Sequence, residues 1–374
     1  MLQNAVKVIS RMDGDEGMYI SWPRKSLLNA AGELGTRWPG KEYLSECVPQ
    51  FKSLRNGGVN ICCEFIKVVN PDRDILTELT TADSYCTRST ALRALAEHWP
   101  DETTRQLITQ RAAQDDHENA RSTALEKLAE HWPDETTRQL ITQRAIQDDH
   151  EGPRSVALEV LAKKWPDETT RQLITERAVQ DEDNGPRSTA LWALAKKWPD
   201  ETTRQLITDR AVQDKDGGPR STALETLAEK WPDETTRQLI TDRAVQDKDG
   251  GPRSTALETL AKKWPDETTH QLLTDRAVQD EDGSLRSAAL RALAEKWPEE
   301  TTRELLTERA VQDDHESPRN TALWILAEHW PDETTRQLLE QQAEQDEDED
   351  VRNNARRLMK KHWPAAEEKI THES

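Results

Sequence analysis

The amino-acid sequence predicts an all-α fold, an α-solenoid superhelix of about ten to eleven stacked helical hairpins. Three observations predict it. A 33-residue unit recurs, with Trp-Pro starting at positions 99, 132, 165, 198, 231, 264, 297, 330 and 363. The units 198–230 and 231–263 differ only at Glu229 versus Lys262. Each unit contains two stretches of helical periodicity separated by turn-forming residues, and a fixed period of this length is typical of stacked-repeat proteins.

The first half of a unit, taken at 198–230, predicts a first helix from about Asp200 to Gln213. Pro199 lacks a backbone N–H and therefore ends the preceding helix. Asp200 can cap the new helix, and Glu201 adds negative charge at its positive end. Four residues give this helix a broad apolar side: Leu206, Ile207, Ala211 and Val212.

The second half of the same unit predicts a second helix over about 219–230. The Asp-Lys-Asp-Gly-Gly run at 214–218 ends the first helix, and Pro219 suits the first turn of the next one. Apolar residues then recur at the spacing of one helix face: Ala223, Leu224, Leu227 and Trp231. The unit is therefore a helical hairpin that must stack on its neighbours to bury both helices.

The repeat pattern predicts three segments. Residues 1–98 form an N-terminal cap with degenerate repeats, 99–362 form eight regular 33-residue repeats, and 363–374 form a C-terminal tail that we expect to fray. Asp83 and Arg88, in the first segment, repeat the Asp and Arg of the regular turns at a spacing of five.

Composition narrows the classes of function. The chain has 71 acidic and 51 basic side chains, a net charge of −20, and such a field repels phosphate backbones, so we expect no nucleic-acid partner. No apolar stretch is long enough for a membrane helix, and the N-terminus lacks a secretory-signal pattern. We therefore expect an acidic, cytoplasmic monomer with no membrane partner, although exchange of near-identical units could also give dimers. No C-x-x-C pair occurs among the four cysteines, which we expect to be reduced: Cys47, Cys62, Cys63 and Cys86.

In every full unit an Asp lies six residues before an Arg. An Asp in the turn can accept hydrogen bonds from the N-terminus of the second helix and from an Arg of an adjacent unit. We therefore expect a ladder of charge-assisted bonds along the stack. The residues of this structural ladder are Asp115, Arg121, Asp148, Arg154, Asp181, Arg187, Asp214, Arg220, Asp247, Arg253, Asp280, Arg286, Asp313, Arg319, Asp346 and Arg352.

This Asp-x5-Arg turn, followed by A-L-x-x-L-A, resembles the HEAT repeat over roughly 70–374. It is most similar to the short form seen in phycobilisome-lyase-like repeats, and the Val-Arg step at 351–352 is typical of that form. The 33-residue period departs from many HEAT units, which are longer. The resemblance implies that the second helices line the concave side of the array.

Variation among the near-identical copies indicates where a partner would bind. Two adjacent second-helix positions differ between copies, and the first of them points away from the Leu224/Leu227 face. We hypothesise that this position forms the ligand surface, with Trp192 and the Trp324–Ile325 pair as exposed apolar anchors. Drift at unconstrained surface positions is the alternative. The candidate binding residues are Arg93, Glu126, Glu159, Trp192, Glu225, Glu258, Arg291, Trp324 and Ile325, with Arg357 at the same place in the last unit.

Other motifs do not indicate catalysis. The recurrent Trp is expected to be a wedge between hairpins. The turns 115–118, 148–151, 280–283 and 313–316 look metal-like, but the ligand pattern of a calcium loop is incomplete, and we expect solvated turns and no metal. No phosphate-binding, nucleophile-elbow or zinc-protease motif occurs. We therefore expect neither an enzyme nor a cofactor.

The leading functional hypothesis is a non-enzymatic scaffold or sensor array that binds a protein partner on its concave face. The pattern L-A-x-x-W, L-I-x-x-R-A and Asp-x5-Arg is similar to the C-terminal repeat arrays of bacterial NACHT-type NTPases. An alternative from the repeat type alone is a phycobilin lyase-like protein acting on phycobiliproteins. A DNA-binding HEAT protein is a third alternative, but it needs a basic concave face where this chain alternates Glu and Arg.

Overall fold

A computed structural model of the protein describes residues 73–364. These residues form eighteen α-helices in nine hairpins, and no β-strand occurs among them, so the predicted all-α solenoid class is confirmed. The chain divides into two compact units, Met1–Lys197 and Trp198–Ser374. Most of the predicted segment 1–98 and of the tail 363–374 lies outside the described residues, as do Cys47, Cys62 and Cys63.

The helices alternate between the first and second members of hairpins, so odd numbers denote first helices and even numbers second helices. In the first unit they are α1 Arg73–Leu79, α2 Tyr85–His98, α3 Glu102–Gln114, α4 Glu118–His131, α5 Glu135–Gln147, α6 Glu151–Lys164, α7 Glu168–Gln180 and α8 Asn184–Lys197. In the second unit they are α9 Glu201–Gln213, α10 Gly217–Lys230, α11 Glu234–Gln246, α12 Gly250–Lys263, α13 Glu267–Gln279, α14 Gly283–Lys296, α15 Glu300–Gln312, α16 Glu316–His329, α17 Glu333–Gln345 and α18 Glu349–His362.

First helices begin at a capping aspartate that follows the Trp-Pro step. At α5, Asp134 Oδ1 accepts a hydrogen bond from the backbone N–H of Thr137 at 3.0 Å. This bond satisfies one of the first-turn donors that have no partner within the helix. From α3 to α17 the exception is α15, whose cap residue Glu299 forms no side-chain bond. The other capping residues that accept this bond are Asp101, Asp167, Asp200, Asp233, Asp266 and Asp332.

The second helices begin earlier than the sequence predicted. Helix α10 starts at Gly217, so Pro219 is its third residue and not its first. A proline is tolerated there because the first four N–H groups of a helix have no intrahelical acceptor. The predicted start at 219 was therefore two residues late.

Within each unit the second helices form the more closely packed layer. Each first helix packs against the second helix of its own hairpin, and second helices also pack against one another, as α4 does against α6 and α14 against α16. No two first helices of 73–364 approach each other as closely. Because the second-helix layer is the tighter one, each unit curves towards it.

The core of a hairpin lies between its two helices. In the hairpin α9–α10 the buried apolar residues are Ile207, Ala211, Ala223, Leu224 and Leu227. Leu206 is only half-buried and Val212 is 42% exposed, so the apolar side of the first helix is narrower than predicted. Val212 faces solvent because neighbouring first helices are too far apart to cover it.

Candidate interaction surface

One position of each second helix is exposed in every described hairpin. In the first unit it is occupied by Arg93, Glu126, Glu159 and Trp192, which we term the first-unit stripe. In the second unit it is occupied by Glu225, Glu258, Arg291, Trp324 and Arg357, the second-unit stripe. This position, which differs between the copies, is therefore accessible to a partner in both units.

The two tryptophans of the stripes are largely accessible. Trp192 is 38% exposed and Trp324 is 42% exposed. The Lys196 Nζ, one helical turn after Trp192, lies 4.1 Å from its ring centroid, a cation–π contact. Other copies carry Glu or Arg at this position, so an exposed indole is a departure from the repeat and not a requirement of the fold.

Ile325 is 1% exposed, so the expectation that it is a surface anchor beside Trp324 is wrong. One residue along a helix is a rotation of about 100°, which turns this position into the packed layer. Its variation therefore reflects packing and not binding. The same position is buried in most other second helices, where it is occupied by Val160, Ala193, Thr226, Thr259, Ala292 and Leu358.

An open pocket of about 500 Å³ surrounds Trp324 in the second unit. Its lining comes from three successive second helices, α14, α16 and α18. Three of its residues, Arg291, Trp324 and Arg357, are candidates from the sequence, whereas the two asparagines and the threonine are not. The six residues, which we term the Trp324 pocket, are Arg291, Asn320, Thr321, Trp324, Asn354 and Arg357.

Hydrogen bonds hold the edge of this pocket in place. Asn354 Oδ1 accepts a bond from Arg357 Nη2 at 2.8 Å, and the Asn354 side-chain amide donates to the Asn320 carbonyl at 3.4 Å. Neither Arg291 nor Arg357 has a carboxylate partner within the described residues. The pocket therefore combines an aromatic floor with two guanidinium groups that are free to bind an anion.

The Asp–Arg ladder lies on the turns between the helices of each hairpin. Arg121 Nε and Nη2 donate to the two carboxylate oxygens of Asp148 at 2.9 and 2.7 Å, while Nη1 donates to the Asp115 carbonyl at 2.9 Å. Each Arg therefore binds the turn of its own repeat through the backbone and the next repeat through the carboxylate. The same bidentate arrangement pairs Arg88 with Asp115, Arg154 with Asp181, Arg220 with Asp247, Arg286 with Asp313, and Arg319 with Asp346.

The ladder has one weak step in the second unit. Arg253 forms no bond to Asp280 and instead lies 3.5 Å from Asp282. Asp280 instead accepts a hydrogen bond from the Asp282 backbone N–H at 3.0 Å and lies 3.6 Å from Arg276 of its own first helix. The expected pair is therefore absent at this step, and the stack between α12 and α14 lacks the bidentate bond found at its neighbours.

The ladder changes the acidity of its carboxyl groups. Burial by itself raises the pKa of Asp148, but the hydrogen bonds from Arg121 and from the His150 backbone N–H outweigh it, and the net pKa is below the ordinary value. The pKa values of Asp115 and Asp313 are lowered for the same reasons. These carboxyl groups are charged at neutral pH, and they accept hydrogen bonds from arginines and backbone N–H groups of the repeats themselves.

A second ladder, which sequence reasoning missed, joins consecutive first helices. Arg138 Nη1 lies 2.7 Å from Asp167 Oδ2, so the capping Asp of one repeat pairs with an Arg of the previous repeat. The sequence signal was the spacing between this Arg and that Asp, 29 residues in the regular repeats and 28 for Arg73 and Asp101. His270 and Glu299 replace the pair at one step, and no bond between them occurs in the described structure. The other pairs are Arg73–Asp101, Arg105–Asp134, Arg204–Asp233, Arg237–Asp266 and Arg303–Asp332.

The helical hairpins and their turn geometry agree with a known sequence family. A family model described as HEAT repeats matches residues 73–162, 138–228, 204–294 and 270–360. The chain belongs to the HEAT-repeat family. The family match spans all the described hairpins, including α1 and α2 from the part of the sequence where the repeats are degenerate.

Two solved structures have detectable similarity to this HEAT array. YibA from Escherichia coli is 18% identical, covering 72% of this chain and 95% of YibA, with a TM-score of 0.45. A crystallised Kap121p mutant is 13% identical, covering 95% of this chain and 44% of that chain, with a TM-score of 0.37. Both scores are low, so the fold assignment rests on the helices and the family match. No match to a curated protein was found.

Three residues of the Trp324 pocket depart from the sequence that most of the HEAT units share. Asn320 occupies a place that is Ser in the seven earlier second helices, from Ser89 to Ser287. Asn354 likewise stands at a place that is Thr in most of the earlier second helices, and Trp324 at a place that is Glu or Arg in most copies. In near-identical copies, a cluster of departures around one cavity indicates a specialised surface.

The remaining motifs form no separate site. Among residues 73–364 no group of three or more His, Cys, Asp or Glu side chains could hold a metal ion. His117 and His315 of the metal-like turns cap second helices, each accepting a bond from a backbone N–H. The recurrent Trp residues are half-buried at the C-terminal ends of second helices. No described helix is both long and apolar enough to cross a membrane.

Proposed function

We propose that this HEAT protein is a non-enzymatic interaction scaffold, and that a protein partner binds the exposed stripes of its second helices. The observation that carries the proposal is that this repeat position is exposed in every described hairpin and bears Trp192 and Trp324 where the other copies have Glu or Arg. A large exposed aromatic side chain is unusual on a surface so rich in charge, and Trp is enriched among residues that dominate binding energy.

The first helices offer a competing surface. Each unit also exposes aliphatic residues there, such as Val179 at 42% and Val311 at 43%. These side chains recur almost unchanged, and single exposed aliphatic residues are common on protein surfaces. The second helices differ because their exposed position carries Glu, Arg or Trp depending on the copy, which gives the surface a chemical pattern that one partner can recognise.

A non-enzymatic role is supported by where the perturbed acidic groups lie. The aspartates with lowered pKa are ladder residues or helix caps, such as Asp148 and Asp134, and their bonds are to the scaffold itself. Perturbed groups that form a catalytic site would instead converge on a cleft. Here they repeat at regular intervals along the stack.

The test is capture of the partner by purified full-length protein from a lysate of the source cell, followed by binding measurements on the purified partner. Trp192→Ala with Trp324→Ala should weaken binding about thirtyfold, since an aromatic hot spot contributes roughly 2 kcal/mol or more. Val179→Ala with Val311→Ala is the matched control, with one exposed apolar residue per unit, and should leave affinity within twofold. Equal losses in both variants, or none in the Trp variant, would refute the proposal.

A further inference from the structure

We propose that the Trp324 pocket binds an acidic segment of a partner protein in which an apolar side chain is flanked by carboxylates. The inference rests on the proposed scaffold function and gives the chemistry of the partner. It is based on two guanidinium groups that have no carboxylate partner and that lie on either side of an exposed indole.

The charge of the pocket is opposite to that of the chain. The protein has a net charge of −20, and most described arginines have a carboxylate within 4 Å. Arg291 and Arg357 are exposed and have none. Along the second-unit stripe, the charge therefore changes from negative at Glu225 and Glu258 to positive at the two arginines. A carboxylate of a partner would complete the pairing that the scaffold provides for other arginines.

The apolar side chain of the ligand is expected to pack on the ring of Trp324. Its ring is 42% exposed between the helices that carry the two arginines, so a side chain placed on it is flanked by positive charge on both sides. An aromatic residue gains the most from such a contact. Arg357 is already held by Asn354 at 2.8 Å, which lowers the entropy lost when it binds an anion.

The dimensions fit a short peptide. Packed helices lie about 8–10 Å apart, so α14 and α18, which have α16 between them, are roughly 16–20 Å apart. An extended chain advances about 3.3 Å per residue. The span between the helices thus corresponds to about five or six residues. Long arginine and glutamate side chains shorten the distance that the peptide backbone must cover, so acidic residues about four to six positions apart, with an aromatic residue midway, would reach both guanidinium groups.

A nucleic acid could also combine stacking with Arg contacts, but the observations favour a peptide. Phosphates would continue past the pocket towards Glu225 and Glu258 of the same stripe and would be repelled there. A short acidic segment ends before it meets them. We therefore propose a peptide ligand, and the experiment includes an oligonucleotide as a comparison ligand.

The experiment measures fluorescence anisotropy of the labelled peptide Gly-Glu-Glu-Phe-Glu-Glu-Gly with the full chain in 50 mM salt. Lysine-for-glutamate and glycine-for-phenylalanine peptides, and a ten-nucleotide single-stranded DNA, serve as comparison ligands. Arg291→Glu and Arg357→Glu should each weaken binding of the acidic peptide about tenfold or more, and Trp324→Ala should weaken it similarly. Lys263→Glu, the same charge change at an exposed site outside the pocket, should leave affinity within twofold.

The proposal is overturned if Lys263→Glu matches the arginine variants, if the lysine peptide binds as well, or if the oligonucleotide binds more tightly. No detectable binding of the acidic peptide also overturns it. In that case, a captured partner that still depends on Trp324 would leave the scaffold function intact, so the two failures are distinguishable.

Discussion

Arg220 of one repeat is bound to Asp247 of the next through two parallel hydrogen bonds, from Nε at 3.0 Å and from Nη2 at 2.8 Å. The two side chains are 1% and 2% exposed. One repeat later, Arg253 lies 3.5 Å from Asp282 and forms no bond to Asp280. Two steps of the same stack, nearly identical in sequence, therefore differ in how their repeats are joined.

The first prediction compares these two steps. Asp247→Ala removes the bidentate partner of a buried Arg, which keeps only Asp249 and the Asp214 carbonyl, and should lower the free energy of unfolding by about 2–3 kcal/mol. Asp280→Ala removes only a distant contact and a turn bond, and should cost about 1 kcal/mol. Urea unfolding followed by circular dichroism measures both. Equal losses would mean that the bidentate bond contributes nothing to the stack.

A second prediction concerns the uncapped helix α15. Glu299 occupies its cap position without a side-chain bond, whereas Asp caps the other first helices from α3 to α17. Glu299→Asp should therefore raise the free energy of unfolding by about 0.5–1 kcal/mol, and adding His270→Arg should raise it slightly more by completing the second ladder. The urea midpoint reports the change. Glu300→Asp, one residue later, is the control, and an equal gain there would contradict the capping argument.

A third prediction follows from the lowered pKa values of Asp115, Asp148 and Asp313. These carboxyl groups bind protons less tightly in the folded state than in the unfolded chain. Their contribution to the free energy of unfolding is therefore fully present above about pH 4–5. It is lost as pH falls through the folded pKa values. The capping aspartates, including Asp134, act in the same direction. The urea midpoint should be level from pH 7 to 5 and fall steeply below pH 4, and less steeply in Asp148→Ala. A constant midpoint from pH 5 to 3 would refute this linkage.

A fourth prediction separates two adjacent residues. Ile325→Ala empties a site that is 1% exposed and should cost about 2–4 kcal/mol. Trp324→Ala removes an exposed ring and should change stability by less than about 0.5 kcal/mol. Thermal unfolding of the two variants compares them directly. A larger loss for Trp324→Ala would make the indole part of the core and remove it from the candidate surface.

The sequence was sufficient for the features that repetition exposes. A constant Asp-x5-Arg pair in nearly identical units predicts that the two residues meet along the stack, and Arg121 and Asp148 do so. The hairpins followed from proline, glycine and the leucine spacing. The exposed stripe position also followed, because it differs between copies and points away from the Leu224/Leu227 face.

What the sequence could not decide depends on how the helices pack. Ile325 and Trp324 are adjacent and both vary, but only stacking determines that one faces a neighbouring helix and the other faces solvent. Val212 fits an apolar helix side, yet no first helix covers it. The pocket residues Asn320 and Asn354 lie 34 positions apart, and their contact exists only because α16 and α18 pack together.

The most direct test of the scaffold account is a hydrogen-exchange comparison of the full chain, free and bound to its captured partner. The account predicts that slowed amide exchange on binding concentrates on the second helices, above all α14, α16 and α18 around Trp324. Protection confined to the first helices, with the second helices unchanged, would contradict it.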